Sequence, residues 1–211
     1  MESPFRDPPP GLKIIETLRL APDGPVRGDA HLARLARTCA TFGVPFDVGR
    51  AGDRLSQACW GGADLRARLT VGLDGQVDLE TSPLAPGASR WRVRLATGVV
   101  AGDPWRRVKT THRNIYDAAR AAMPEGTDEV VFLNDRGEVC EGAITNIFLA
   151  RDGRLLTPPV ESGALPGILR KTLLDDGRAV ERALRPPDLM SGEVFVGNSL
   201  RGLIAADLID G

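Results

Sequence analysis

Apolar and polar residues alternate along much of this chain, and the stretches between show apolar positions recurring at steps of three and four. That mixture predicts strands and helices in one mixed α/β (α+β) fold. Leu12 to Leu20 reads as a strand closed by the turn Pro22-Asp23-Gly24-Pro25. A helix follows, with Asp29 suited to its N-cap, Leu32, Leu35, Ala36, Cys39 and Phe42 at helical spacing, and Gly43 to end it. His31, Arg34 and Thr38 then share one flank of that helix. A second helix is expected over Arg50 to Cys59, and strands over Ala63 to Leu73, Gln76 to Glu80 and Arg90 to Ala96. In the last of these Trp91, Val93 and Leu95 alternate with Arg92 and Arg94, the pattern of a sheet with one solvated face.

Residues 97–108 carry Gly98, Gly102 and Pro104 and read as a hinge. The expected division is an N-terminal lobe over 1–100, a linker over 101–108 and a C-terminal lobe over 109–211. In the second lobe a helix at Asn114 to Met123 leads into strands at Glu129 to Leu133, Val139 to Cys140, Asn146 to Ala150 and Arg154 to Thr157. A helix starts at Pro166-Gly167, and strands follow at Ala179 to Leu184, Glu193 to Val196 and Leu203 to Ile209.

Length and charge narrow the class. At 211 residues with a formal net charge of −1, the chain is long enough for a substantial core and is not built to coat nucleic acid or an anionic membrane. Cys39, Cys59 and Cys140 are three and widely spaced, with no metal-ligand spacing among them, so neither a disulfide framework nor a metal site is expected. No apolar run is long enough to span a bilayer. A reduced, cytoplasmic location is the expectation. Trp60, Trp91 and Trp105 read as core or interface residues, and the cysteines as small buried apolar ones.

Lys109 is one of only three lysines, the other basic residues all being arginine. Arg106, Arg107, His112 and Arg113 surround it in sequence. Nearby positive charge disfavours an ammonium and frees the amine for Schiff-base chemistry with a carbonyl. The ordinary alternative is a solvated basic turn. Glu141 opens Glu141-Gly142-Ala143-Ile144-Thr145-Asn146 directly after a strand, where a carboxylate could keep a pyridine nitrogen protonated or simply close a turn. The loop from Glu161 to Arg170 offers backbone N–H groups at a helix N-terminus, suited to a phosphate. The turn Gly197-Asn198-Ser199-Leu200-Arg201-Gly202 offers a hydroxyl, and Arg34 a guanidinium. A Schiff-base amine, a carboxylate for a ring nitrogen and donors for a phosphate are together what pyridoxal 5′-phosphate requires. Tyr116 is placed either to reach that cofactor's phenolic oxygen or to fill the core.

Six blocks in order carry a resemblance: Glu16-Thr17-Leu18-Arg19, His31-Leu32-Ala33-Arg34-Leu35, Lys109-Thr110-Thr111, Glu141 to Phe148, Gly163 to Arg170, and Asn198-Ser199-Leu200-Arg201-Gly202. They are similar to the fold-type IV pyridoxal-phosphate enzymes, the class IV aminotransferase family that includes D-amino acid aminotransferase-like proteins and 4-amino-4-deoxychorismate lyase. The resemblance implies a two-lobed enzyme, with a smaller N-terminal and a larger C-terminal lobe and the cofactor between them. It implies that Lys109 is the Schiff-base lysine and proton carrier, and that Glu141 is the partner of the pyridine nitrogen with Asn146 near the ring. Arg34, the backbone at Ile168 and Leu169, and Ser199 with its neighbour Asn198 fall at phosphate-binding positions.

The wording Lys109-Thr110-Thr111 with Tyr116-Asp117, and the closing Asn198 to Gly202 block, are most similar to the lyase domain fused to p-aminobenzoate synthase component I. This implies release of p-aminobenzoate and pyruvate from a small anionic substrate, with a branched-chain or D-amino acid transaminase as the alternative and a non-catalytic interaction module as a third reading. Many lyases have an Arg-Gly pair where this chain reads Val71-Gly72, so Arg19, Arg107 or Arg113 is expected to take the substrate carboxylate. A homodimer, and a separate synthase subunit as partner, are the assemblies implied.

Overall fold

The structure is a computed structural model describing residues 4–59, 62–100 and 103–209, with only the backbone described at 97–99. Trp60 and residues 101–102 of the expected linker lie outside the described residues. The chain divides into two compact units, Met1–Pro86 with Val108–His112, and Gly87–Arg107 with Arg113–Gly211.

In the first unit, β1 (Lys13–Ala21), β2 (Gly24–Pro25), β3 (Leu65–Gly72) and β4 (Val77–Pro83) form an antiparallel sheet in the order β2-β1-β3-β4. Helices α1 (Gly28–Thr41) and α2 (Val48–Gln57) supply the rest of its core. Ile14, Leu18 and Leu20 point from one face of β1 into a cluster with Leu35, Cys39 and Leu55. Full burial of each such leucine or isoleucine contributes about 1.5–3 kcal/mol. Period-two geometry puts Glu16 on that same face, among them.

The first helix departs from the expected start. Arg27, in left-handed geometry at φ 55°, is its N-cap with no side-chain capping bond, and Asp29 lies inside the first turn. Gly43 ends the helix as expected, at φ 67°. The second helix begins two residues earlier than the expected Arg50, because Asp47 caps it by accepting a 2.9 Å bond from Arg50 N–H.

Val108–His112 returns to the first unit through the edge of β1. Ile15 N–H donates to Lys109 C=O and Thr111 N–H to Lys13 C=O, each at 2.9 Å, around an Ile14–Thr110 bridge. Lys109 is therefore tied to the strand that carries Glu16.

The second unit holds β5 (Arg90–Val100), β6 (Glu129–Asn134), β7 (Val139–Gly142), β8 (Asn146–Arg151), β9 (Arg154–Thr157), β10 (Ala179–Glu181), β11 (Glu193–Asn198) and β12 (Gly202–Leu208). They form one mixed sheet in the order β10-β9-β8-β11-β12-β5-β6-β7. Its helices are α3 (Asn114–Ala121) and α4 (Ile168–Asp175). Strand β8 is buried on both faces: Ile147 and Leu149 join one cluster with Trp91, Val93 and Val196, while Phe148 packs with Leu169 and Leu173. That double burial explains why Asn146 to Leu149 carries an unbroken apolar run after its first residue.

Two boundaries differ from expectation for the same reason, strand pairing. Parallel pairing with β6 extends β5 to Val100, into residues read as hinge, and the second unit, which holds all of β5, begins at Gly87. The strand expected over 179–184 stops at Glu181, and beyond it Leu184 C=O accepts from Val139 N–H at 2.7 Å, holding that residue to a different strand.

Candidate functional site

The first unit builds a buried charge cluster under α1. The Glu16 carboxylate accepts from Arg34 Nε at 2.7 Å on one oxygen, and from Arg34 Nη2 and His31 Nδ1, each at 2.7 Å, on the other. Glu16 and His31 are each only 1% exposed. Burial alone would raise the Glu16 pKa, but the Arg34 charge and hydrogen bonds, aided by His31, hold it down at about 2. His31 is pushed below the ordinary histidine range, first by burial and then by the Arg34 and Lys109 charges, against the pull of Glu16. A neutral imidazole facing an ionised carboxylate must carry its proton on Nδ1, since the carboxylate can only accept. Arg34, His31 and Thr38 are all buried on the expected flank of α1. Lys109 is half-buried beside this group.

The second unit gathers the other candidates around the β7–β8 turn. Glu141, at the end of β7, is 6% exposed. One oxygen accepts the Tyr116 hydroxyl at 2.5 Å, and the other accepts Leu165 N–H at 2.9 Å. Asn146, at the start of β8, donates Nδ2 to Leu165 C=O at 3.0 Å. Leu165 is thus held on both its polar groups by the two residues that bracket the turn.

Two residues later Gly167 begins α4 without a side-chain cap. A Cβ there would overlap Asn146 Oδ1. Asn198 Nδ2 donates to Ile144 C=O at 3.1 Å, and its oxygen accepts from Leu200 and Arg201 N–H, so the β11–β12 turn is tied to the β7–β8 turn. Leu169 packs on Gly197, and Ser199 is buried at 7% exposure. Glu141, Asn146, Ile168, Leu169, Asn198 and Ser199 therefore belong to one neighbourhood.

Beneath the turn lies a carboxylate that sequence reasoning missed. Glu129, at 0% exposed, accepts from Val130 N–H, Ala143 N–H and Ile144 N–H and from the Thr145 hydroxyl, at 2.8–3.1 Å. Burial raises its pKa and these four donors oppose the rise. A Cβ on Gly142 would come within 2.7 Å of Glu129 Oε2, so the turn requires glycine there. Glu16 and His31 were likewise seen only as parts of motifs. Their signal was a polar residue on the apolar face of an alternating strand, and another on the buried flank of a helix.

The candidate substrate arginines are differently placed. Arg19 pairs with Asp64 at 2.6 Å, and Arg113 is held by Asp117 at 2.8 Å and by Ala143 C=O at 2.8 Å. Arg107 is exposed. Its neighbour Arg106 is buried and donates Nε to the Tyr116 hydroxyl at 2.9 Å. Nothing in the local sequence distinguished Arg106 from Arg107. Tyr116 takes the core-packing role, with its ring edge-on against Phe132, and its hydroxyl donates to Glu141, a bond that neither expected role included.

Comparison with known proteins identifies the family. A family model described as amino-transferase class IV matches residues 13–209. A probable branched-chain-amino-acid aminotransferase from Thermotoga maritima is 30% identical over 197 residues, covering 89% of this chain and 71% of that protein. An aminodeoxychorismate lyase from Bacillus subtilis is 23% identical over 203 residues, covering 83% and 68%. A solved structure from Mesorhizobium loti, provisionally named an amino-acid aminotransferase, aligns with a TM-score of 0.88 at 41% identity, covering 94% of this chain and 100% of that one.

Proposed function

The chain belongs to the class IV aminotransferase family, of fold type IV and dependent on pyridoxal 5′-phosphate, and we propose that it is a 4-amino-4-deoxychorismate lyase releasing p-aminobenzoate and pyruvate. Its residues fit the cofactor. A buried carboxylate held by two donors suits a ring nitrogen, and a helix start with a glycine cap and no capping side chain suits a phosphate. When bound, pyridoxal phosphate supplies an aldehyde and an electron-withdrawing ring.

In this reading Lys109 is the amine that attaches the cofactor and then carries the substrate's α-proton. Glu141 would keep a proton on the ring nitrogen, and Asn146, which holds Leu165 C=O, would lie near the ring. Arg34, held by both oxygens of Glu16, is assigned to the phosphate, as are the Ile168 and Leu169 backbone and Ser199, and Asn198 is assigned to the cofactor. Because two of the three candidate substrate arginines are engaged by acidic neighbours, exposed Arg107 is the one we assign to the substrate carboxylate. The three free cysteines fit a reducing, cytoplasmic setting. A homodimer working beside a separate synthase subunit is the assembly we propose.

The observation that carries the lyase over other family reactions is the wording Lys109-Thr110-Thr111 with Tyr116-Asp117, of which the structure gives Tyr116 a buried bond to Glu141. The branched-chain relative from Thermotoga supports a second reading, transamination. Incubation with enzymatically generated aminodeoxychorismate discriminates them. The lyase releases p-aminobenzoate and pyruvate with no keto acid added, whereas turnover that depends on a keto-acid acceptor would replace this assignment with the transaminase.

A further inference from the structure

Tyr116 is the single tyrosine of the chain, and it is buried on α3 with its hydroxyl between Arg106 and Glu141. The polarity of that chain of bonds follows from the inventory of donors. Arg106 Nε–H can only donate, so the phenolic oxygen accepts from it at 2.9 Å. The one phenolic proton is thereby directed to Glu141 Oε1 at 2.5 Å. Burial, and then the carboxylate beside it, push the Tyr116 phenol far above its ordinary range, so that proton stays in place.

Other groups lie around this bond. Leu165 N–H donates from the loop before α4, the Cys140 thiol precedes it on β7 and is kept protonated by burial, and the Arg113 guanidinium lies over the Tyr116 ring at 5.4 Å. Both oxygens of Glu141 therefore receive a donor, one from Tyr116 and the other from Leu165.

We propose that Tyr116, oriented by Arg106, is a positioning residue that aims and polarises the Glu141 carboxylate toward the cofactor's ring nitrogen. The inference rests on the reading of Glu141 as the ring-nitrogen partner, and it assigns to Tyr116 an indirect role in place of direct contact with the cofactor. Replacing the tyrosine by phenylalanine keeps the edge-on packing against Phe132, whose ring centroid is 5.2 Å away. It removes the hydroxyl, and with it both the proton that Glu141 receives and the acceptor of Arg106 Nε–H.

The test is a double-mutant cycle read by pyridoxal-phosphate affinity of the apoprotein and by the nitrogen-15 shift of the bound cofactor's ring. Y116F weakens cofactor binding about tenfold and moves the ring-nitrogen resonance, the loss expected for one hydrogen bond to a charged group. In an E141Q background the same change costs less than about twofold, because its target is already neutral. R106Q weakens binding in the wild-type background and adds little to Y116F. Should Y116F fail to fold, R106K, which keeps the charge and displaces the Nε donor, takes its place in the cycle.

If Y116F costs the same factor with and without the Glu141 carboxylate, Tyr116 acts on something else and the inference is overturned. E141Q that leaves both affinity and the nitrogen-15 shift at wild-type values instead overturns the reading of Glu141 itself.

Discussion

Glu16→Gln keeps the shape of a buried side chain and removes its charge, leaving Arg34 without its anion and His31 without its carboxylate acceptor. The folded-state pKa of Glu16 lies near 2 against an ordinary value of 4.5. At about 1.4 kcal/mol for each pKa unit, the cluster contributes about 3 kcal/mol at neutral pH. Breaking a buried ion pair from one side costs a similar amount, about 3–5 kcal/mol.

In a chain of this size that loss lowers the melting temperature by about 6–12 °C. Because the folded-state value is the lower one, the contribution is complete above pH 4.5 and falls away as pH drops toward 2. Urea unfolding of the wild-type and variant apoproteins, at neutral pH and at steps down to the acid limit, measures it. The two stabilities should converge on acidification. A variant within about 0.5 kcal/mol of wild type at neutral pH, or a gap that stays constant across that acid window, would show that the cluster does not hold its charge as described.

Other expectations follow from single contacts. Lys109→Ala should abolish turnover and prevent borohydride from fixing the cofactor covalently, with the circular dichroism of the protein unchanged, since the backbone bond from Ile15 N–H to Lys109 C=O survives the substitution. Continued covalent labelling in that variant would remove Lys109 from its role. Gly167→Ala drives a Cβ into Asn146 Oδ1, and overpacking of this kind costs about 1–3 kcal/mol. Calorimetry should show that loss together with weakened binding of inorganic phosphate. By NMR, His31 should carry its proton on Nδ1 and titrate below the ordinary range. The unfolded chain then binds the proton more readily, so the stability from a neutral His31 is full above about pH 6.5 and declines as acid charges it; His31→Gln should flatten that slope.

Much of the arrangement was readable in the residues themselves. Alternation located β5, short apolar runs located β6, β8 and β11, and helical spacing placed α1 with His31, Arg34 and Thr38 on its buried flank. The residues bracketing the β7–β8 turn stood out because acid and amide types flank a glycine after a strand. What escaped reading depended on pairing across long sequence separation. The extension of β5 to Val100 follows from its parallel neighbour β6, thirty or so residues onward, and no local pattern records it. Glu129 looked like an ordinary first residue of a strand, and only the fold brings the 143–144 backbone and the Thr145 hydroxyl onto its oxygens. Arg106 and Arg107 are identical in type and adjacent, and their opposite fates are set by a tyrosine ten positions away from the first of them.

The route of the backbone through Val108–His112 bears on how this protein can be cut. A fragment ending at Pro86 would contain every helix of the first unit and still be incomplete, because the Ile15 amide and Lys13 carbonyl would lose their bonding partners and leave part of β1 as a bare border. Such borders recruit foreign strands. Dissection by truncation should therefore yield sticky material, whereas a permuted gene that appends residues 108–112 to the fragment through a short linker should give a soluble one. Any recombination event that exchanged this half alone would also leave the candidate amine behind, so the two halves are expected to be inherited together.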